Sequence, residues 1–246
     1  MKIAENINKI KNKNIDIKEA RNKDIVLWPS FDDIIGAPGN RKLLAGNMQA
    51  GWFGEVPSSD FITGDALAKL VGISAGTSQY SSEPWLKFAY TGAVYLIVKK
   101  PIRYSISWDQ INQANCVYGD RMVNIKNKRY KIMLVRGVGE NVQADSKVLN
   151  ENNFQDKACI YSMWNKLILP LFREETTNTW GTNYTDEDLI TNYRKGNGAA
   201  SWCQEKVQKD DYRLVRGSNT PSYSGAFNSK NASYVFGWRP CLQLIG

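Results

Sequence analysis

The sequence predicts an α+β fold: mixed and antiparallel sheets with two main helices, preceded by an N-terminal helical stem. Three observations carry that expectation. Apolar runs of strand length are separated by short turns, as where Thr91–Gly92 joins WLKFAY to VYLIVKK. Two stretches, ITGDALAKLVGISAG and residues 153–172, place apolar side chains at helical spacing. The closing segment FGWRPCLQLI sets Trp238, Arg239 and Pro240 before an alternating Leu242/Leu244 pattern. Such side chains are out of place on a frayed end, so the segment reads as a strand pinned into the middle of a sheet.

Residues 1–24 stand apart as a stem, and 25–246 form the body. Ile3, Ile7, Ile10, Asn14 and Ile17 are spaced four, three, four, three, a heptad seam with asparagine at one core position. A lone Asn there fixes register and oligomer state at some cost in stability. A Lys/Asn-rich stretch also suits a disordered arm. An isolated helix of this length is marginal in water. The helical reading therefore requires a homo-oligomer, most simply a homotrimer, or docking on a partner.

In the body, VLWPS is a short strand stopped by Pro29, and Pro38–Gly39 marks a turn. Thr63 caps the first main helix, Leu67, Leu70 and Val71 make its apolar face, and Gly72 ends it. The WLKFAY–VYLIVKK pair is closed by Pro101, and Ser107 caps the short helix SWDQINQA. RMVNIKNKRYKIMLVRG is the clearest hairpin and turns at Asn127. The second main helix spans Asn153–Phe172, with Tyr161, Trp164, Leu167, Ile168 and Leu171 as a core stripe. Strands SWCQEKV and DYRLVRG follow, then the polar loop SNTPSYSGAFNSKNAS and the closing strand. YKIMLVRG and YRLVRG both place Arg-Gly after an apolar run, as if two strands left a sheet at similar corners.

Composition limits the chemistry. The chain has 246 residues, 42% hydrophobic and 23% charged, enough for one large domain with a packed core. No apolar run approaches the roughly eighteen residues of a membrane-spanning helix, and the start lacks the apolar core of a secretory signal. Of the net charge of +8, the first 23 residues hold +4, and the body shows no compact basic stripe or nucleic-acid motif. Nucleic acid is therefore not an expected partner. The absence of His (0 residues) removes Ser-His-Asp and Cys-His machinery. The 4 Cys, at 116, 159, 203 and 241, have no CxxC spacing and read as free buried thiols.

The order of early helix, central helix, loop-rich final third and closing GWRPCLQL resembles the C-type-lectin-like fold. The likeness is to the version shared by formylglycine-generating-enzyme-like domains and phage receptor-binding proteins. GWFGEVPSSDFITGDALAKLVGISAGT, KKPIRYSISWDQIN, GAASWCQE and YRLVRG are similar to structural proteins of tailed-phage virions, over most of residues 50–245. ENINKIKNKNIDIKEA resembles the anchoring segments of phage tail and fibre proteins. The resemblance implies that the closing strand pairs with the start of the body. It also implies a virion protein assembled in the host cytoplasm, with the stem meeting other virion proteins.

Three functional readings follow. In the first, the body is a fibre or adhesin that presents loops to a host surface glycan or protein. The candidate face joins Trp180, Asn183 and Tyr184 to Tyr223, Phe227, Asn228, Asn231 and Tyr234. This mixture of rigid aromatics and small amides has the composition of a paratope; ordinary polar loops over a scaffold have it too. The second reading is a purely structural capsid-decoration, collar or baseplate protein. The third is an enzyme using Cys203 and Cys241, but the cysteine motif of formylglycine-generating enzymes is not recognisable, so no catalytic residue and no cofactor are expected. Asp186–Asp188 offers oxygen ligands for calcium or, equally, an acidic helix start capped by Thr185. Arg239 is either a buried guanidinium satisfied by loop carbonyls or a ligand contact.

Overall fold

Short-range signals set most of the elements. The computed structural model describes residues 36–139, 162–172, 180–190, 197–207 and 210–245. The stem seam of Ile3, Ile7, Ile10, Asn14 and Ile17, the VLWPS strand and Cys159 lie outside the described residues. The first half holds β1 (Ala45–Gly46), β2 (Ala50–Val56), α1 (Gly64–Val71), β3 (Thr77–Ser78), β4 (Trp85–Tyr90), β5 (Ala93–Val98) and β6 (Arg103–Tyr104). Then come α2 (Trp108–Gln113), β7 (Tyr118–Ile125), β8 (Lys128–Leu134), α3 (Met163–Leu167) and α4 (Asp186–Leu189). The last third holds β9 (Ala200–Lys206), β10 (Tyr212–Gly217), β11 (Ser224–Asn228), β12 (Phe236–Trp238) and β13 (Pro240–Leu244). The fold is α+β, with mostly antiparallel pairing; β12 and β9 run parallel.

Caps and turns explain the boundaries. Thr63 Oγ1 accepts the Ala66 N–H at 3.3 Å, and Gly72 closes α1 in the left-handed conformation at φ 74. At α2, Ser107 Oγ accepts the Gln110 N–H at 3.2 Å while Gln110 Oε1 accepts the Ser107 N–H at 2.9 Å, a complete capping box. Two-residue turns with both φ values positive join β4 to β5 through Thr91–Gly92 and β7 to β8 through Lys126–Asn127.

Of the expected second main helix, residues 153–161, with Tyr161, lie outside the described residues, and the described part is not a single helix. Ser162 is extended at φ −67, ψ 155, and its side chain caps α3 by accepting the Asn165 N–H at 3.1 Å. After Leu167 the chain tightens into a 3-10 turn at Leu169–Leu171, where Pro170 has no N–H for a continuing helix. The polar stretch expected as loop contains β11, whose five residues all pair with β10.

The sheets are ordered β1-β2-β4-β5-β13-β8-β7 and β11-β10-β9-β12-β6-β3. The closing segment is thus central in both. Phe236–Trp238 lies between β9 and β6 in the smaller sheet; one residue later, Pro240–Leu244 lies between β5 and β8 in the larger. Its neighbours correct the expected pairing with the start of the body: the partners are β5 and β8, not β1 or β2. Side-chain alternation carries through the crossing. Trp238 and Leu242 enter the main core with Trp85, Leu96, Ile132 and Trp202, whereas Cys241 faces the opposite side of the larger sheet. That second side is also dry, since Trp52, Phe88, Ile97 and Met133 pack beneath Met163, Trp164, Leu167 and Leu171. Burial on both faces explains why β5 reads as a continuous apolar run and β4 departs from one only at Lys87.

Candidate functional site

Arg239, between β12 and β13, is fully buried. Its Nη2 donates to the Lys99 carbonyl, and its guanidinium carbon lies 5.2 Å from the Trp164 ring centroid. Nε and Nη1 have no hydrogen-bond partner among the described residues. Burial lowers its pKa to about 9. This is a scaffold arginine, held by one carbonyl and an indole face and not by a set of loop carbonyls.

The two Arg-Gly pairs meet beside it. Arg216, at the end of β10, donates Nη1 to the Gly137 carbonyl at 3.2 Å and Nη2 to Asn165 Oδ1 at 2.7 Å. It also lies 5.6 Å from the Trp164 centroid. The Gly137 N–H reaches the buried Glu205 carboxylate at 3.0 Å, with Arg136 Nε 4.0 Å away. Burial raises the Glu205 pKa against those stabilising contacts. A Cβ on Gly137 would stand 2.4 Å from Leu214 Cδ2, so close approach requires glycine there. Trp164 donates its indole N–H to the Pro221 carbonyl at 2.8 Å, which ties α3 to the loop before β11.

The proposed face divides between the sheets. Trp180 and Tyr184 sit on the larger one. Trp180 stacks parallel to Trp52 with centroids 6.4 Å apart and lies 5.7 Å from Phe88. Tyr184 meets Trp52 edge-on at 6.4 Å and donates its hydroxyl to Glu55 Oε1 at 2.6 Å. Lys99 Nζ lies 2.9 Å from the same Glu55 oxygen, 3.9 Å from Asp188 Oδ1 and 4.6 Å from the Tyr184 ring centroid. Burial, followed by the bond to Glu55, raises the Tyr184 pKa. Both aromatic residues are half-buried and Asn183 is exposed. The Asp188 carboxylate accepts the Thr185 N–H and hydroxyl, each at 2.9 Å, so the acidic run serves as the start of α4. Partial burial works to raise the Asp188 pKa, but the Thr185 bonds and Lys99 outweigh it and the net shift is downward.

The remaining candidates belong to the smaller sheet. Tyr223 and Phe227 flank Gly225, and both pack against the main core, Phe227 with its centroid 4.9 Å from that of Phe236. Asn228 is held at 2.5 Å by Asp211 Oδ2, while Asn231 and Tyr234 are exposed. The chain matches no protein-family model, no curated protein and no solved structure.

Sequence reading missed Trp52, Glu55 and Lys99 as the surroundings of Trp180 and Tyr184. No local motif links positions 129 residues apart, as Glu55 and Tyr184 are. Cys116, Cys203 and Cys241 are buried free thiols; burial raises the Cys116 pKa to about 12 and that of Cys241 further.

Proposed function

We propose that this chain is a phage virion protein of fibre or adhesin type, with a C-type-lectin-like body that binds a host-surface glycan through the Trp180–Tyr184 cluster. The observation that carries the reading is the arrangement of Tyr184, Glu55 and Lys99. A half-exposed aromatic pair stands beside a fixed acceptor, a fixed cation and the exposed amide of Asn183. Aromatic faces stack on the apolar face of a sugar, while acid, ammonium and amide groups match its hydroxyls. The central place of the closing strand accords with a lectin-like body, but its pairing with β5 and β8, not with the first strands, departs from that pattern. In this reading residues 1–24 trimerise or anchor the body to other virion proteins.

A second reading, a purely structural virion component, is favoured by the packing of Trp180 on Trp52 and Phe88, which uses much of its surface internally. A host-adsorption assay with purified particles separates the two. Under the adhesin reading, Trp180→Ala and Asn183→Ala lower adsorption at least tenfold in particles that assemble normally. Unchanged adsorption by both variants removes that reading.

A further inference from the structure

Strand β7 forms one edge of the larger sheet and pairs with β8 alone. Its partner across the two-residue turn fixes the direction of its backbone groups. Ile125 and Lys128 close the turn as a hydrogen-bonded pair, so Val123 also points its N–H and C=O toward β8. Those of Met122 and Asn124 therefore point away from the sheet, and the described backbone bonds leave them unused. On the side chains' outer face, Tyr118 is 52% and Met122 50% exposed, two large apolar groups at the same open edge.

The hairpin is also strongly cationic. It carries Arg121, Lys126, Lys128, Arg129 and Lys131 against Asp120. No ion pair among the described residues includes any of these five cations; Lys126 donates to the Ser59 carbonyl and Arg129 to Met122 Sδ. The hairpin is thus a compact basic stretch, contrary to the expectation from sequence that the body has none. Charge on an edge strand opposes pairing between copies, and a second copy would bring the same five cations. An occupant has to bring the opposite sign.

We infer that the β7 edge takes an extended acidic peptide from a partner protein by strand addition. The outward N–H and C=O groups of Met122 and Asn124 would supply the ladder. On the outer face, Arg129 and Lys131 would meet carboxylates at alternate positions, with Arg121 on the opposite face, and Tyr118 and Met122 would meet an apolar side chain. A polyanion such as DNA would be attracted by the same charge but would not use the backbone edge.

The test is an array of octapeptides alternating Glu or Asp with Val, Ile, Leu or Phe, probed with the full chain and quantified by fluorescence anisotropy for the best binder. Three variants are compared. Met122→Pro removes an outward N–H without touching the β8 ladder; Lys131→Glu and Arg129→Glu reverse charge on the outer face. The expected result is binding of acidic octapeptides, none of the matching Lys-for-Glu peptides, and at least tenfold weaker binding by each variant that retains the parent's melting transition. Failure of the whole acidic array to bind overturns the inference. So does binding that Met122→Pro leaves unchanged, or tighter binding of a 20-base-pair DNA probe, because either result makes the surface a charged patch only. Should Met122→Pro fail to fold, hydrogen exchange on the parent decides the matter: slowed exchange of the Met122 and Asn124 amides by the bound peptide is expected, and unchanged exchange overturns strand addition.

Discussion

The guanidinium of Arg239 lies 5.2 Å from the centre of the Trp164 indole, and Arg216 lies 5.6 Å from that centre. One aromatic ring serves two buried cations at the place where the closing strand passes between sheets. The arrangement makes the tryptophan, rather than either arginine, the irreplaceable member. Trp164→Ala is expected to cost about 3–5 kcal/mol through cavity formation and loss of both cation contacts. Arg239→Met, similar in reach and without a charge to bury, should change stability by no more than about 1 kcal/mol. Urea unfolding of the two variants checks the contrast.

Trp238 is fully buried in the main core, and its strand is central. Trp238→Ala is expected to cost about 3–5 kcal/mol, a large share of the roughly 5–15 kcal/mol available to a domain. Truncation after Tyr234 removes the central strand of both sheets and should give insoluble protein. A soluble truncation with a cooperative melt would contradict the topology.

Tyr223 and Phe227 support the core and are not free members of a binding face. Each alanine substitution should cost about 1–2 kcal/mol. Asn231→Ala and Tyr234→Ala, at exposed positions, should stay within about 0.5 kcal/mol of the parent. Thermal melts of the four single variants test this division, and any adsorption assay on the smaller sheet should use the latter pair.

Lys87 lies opposite Leu96 on the core side of the larger sheet, donates to the Asn40 carbonyl at 2.6 Å, and has its pKa lowered by burial to about 8. Unfolding therefore takes up a proton between about pH 8 and 10.5, and stability rises with pH across that window. Below pH 8 both states are charged, and the folded state bears the full cost of the buried ammonium. The pH slope of stability between 8 and 10.5 should flatten in Lys87→Met, a change on the order of 3 kcal/mol across the window. Equal slopes in parent and variant would mean that Lys87 stays charged.

Gly137 touches Leu214, Cys203 and Arg216 where no side chain has room. Gly137→Ala should cost about 1–3 kcal/mol by overpacking, measurable as a lower urea midpoint.

These contacts also divide what was legible in the sequence from what was not. Thr63, Ser107, Thr91–Gly92 and Asn127 act on neighbours a few residues away, so their helix ends and turns could be read directly. The stripe at Trp164, Leu167, Ile168 and Leu171 fits one long helix and also a short helix with a 3-10 turn. The Ser162 cap decides between them. The burial of Lys87 was not legible, because nothing nearby in the chain announces its bond to the Asn40 carbonyl. The site was legible only in pieces. Trp180 and Tyr184 were recognised as aromatic loop residues, but their acid and lysine come from β2 and the end of β5. The expected single face split because Tyr223 and Phe227 belong to a strand that its Ser/Gly-rich sequence disguises.

A strand shared between two sheets also has a consequence for synthesis. Residues 236–244 are made after every strand they must join: β6 and β9 in one sheet, β5 and β8 in the other. Until they emerge from the ribosome, both sheets have a gap at the centre, and the apolar faces of Trp85, Leu96, Ile132 and Trp202 lack their final cover. Closure of both sheets is therefore deferred until this segment emerges, and the strands made before it wait with apolar faces open to misassembly.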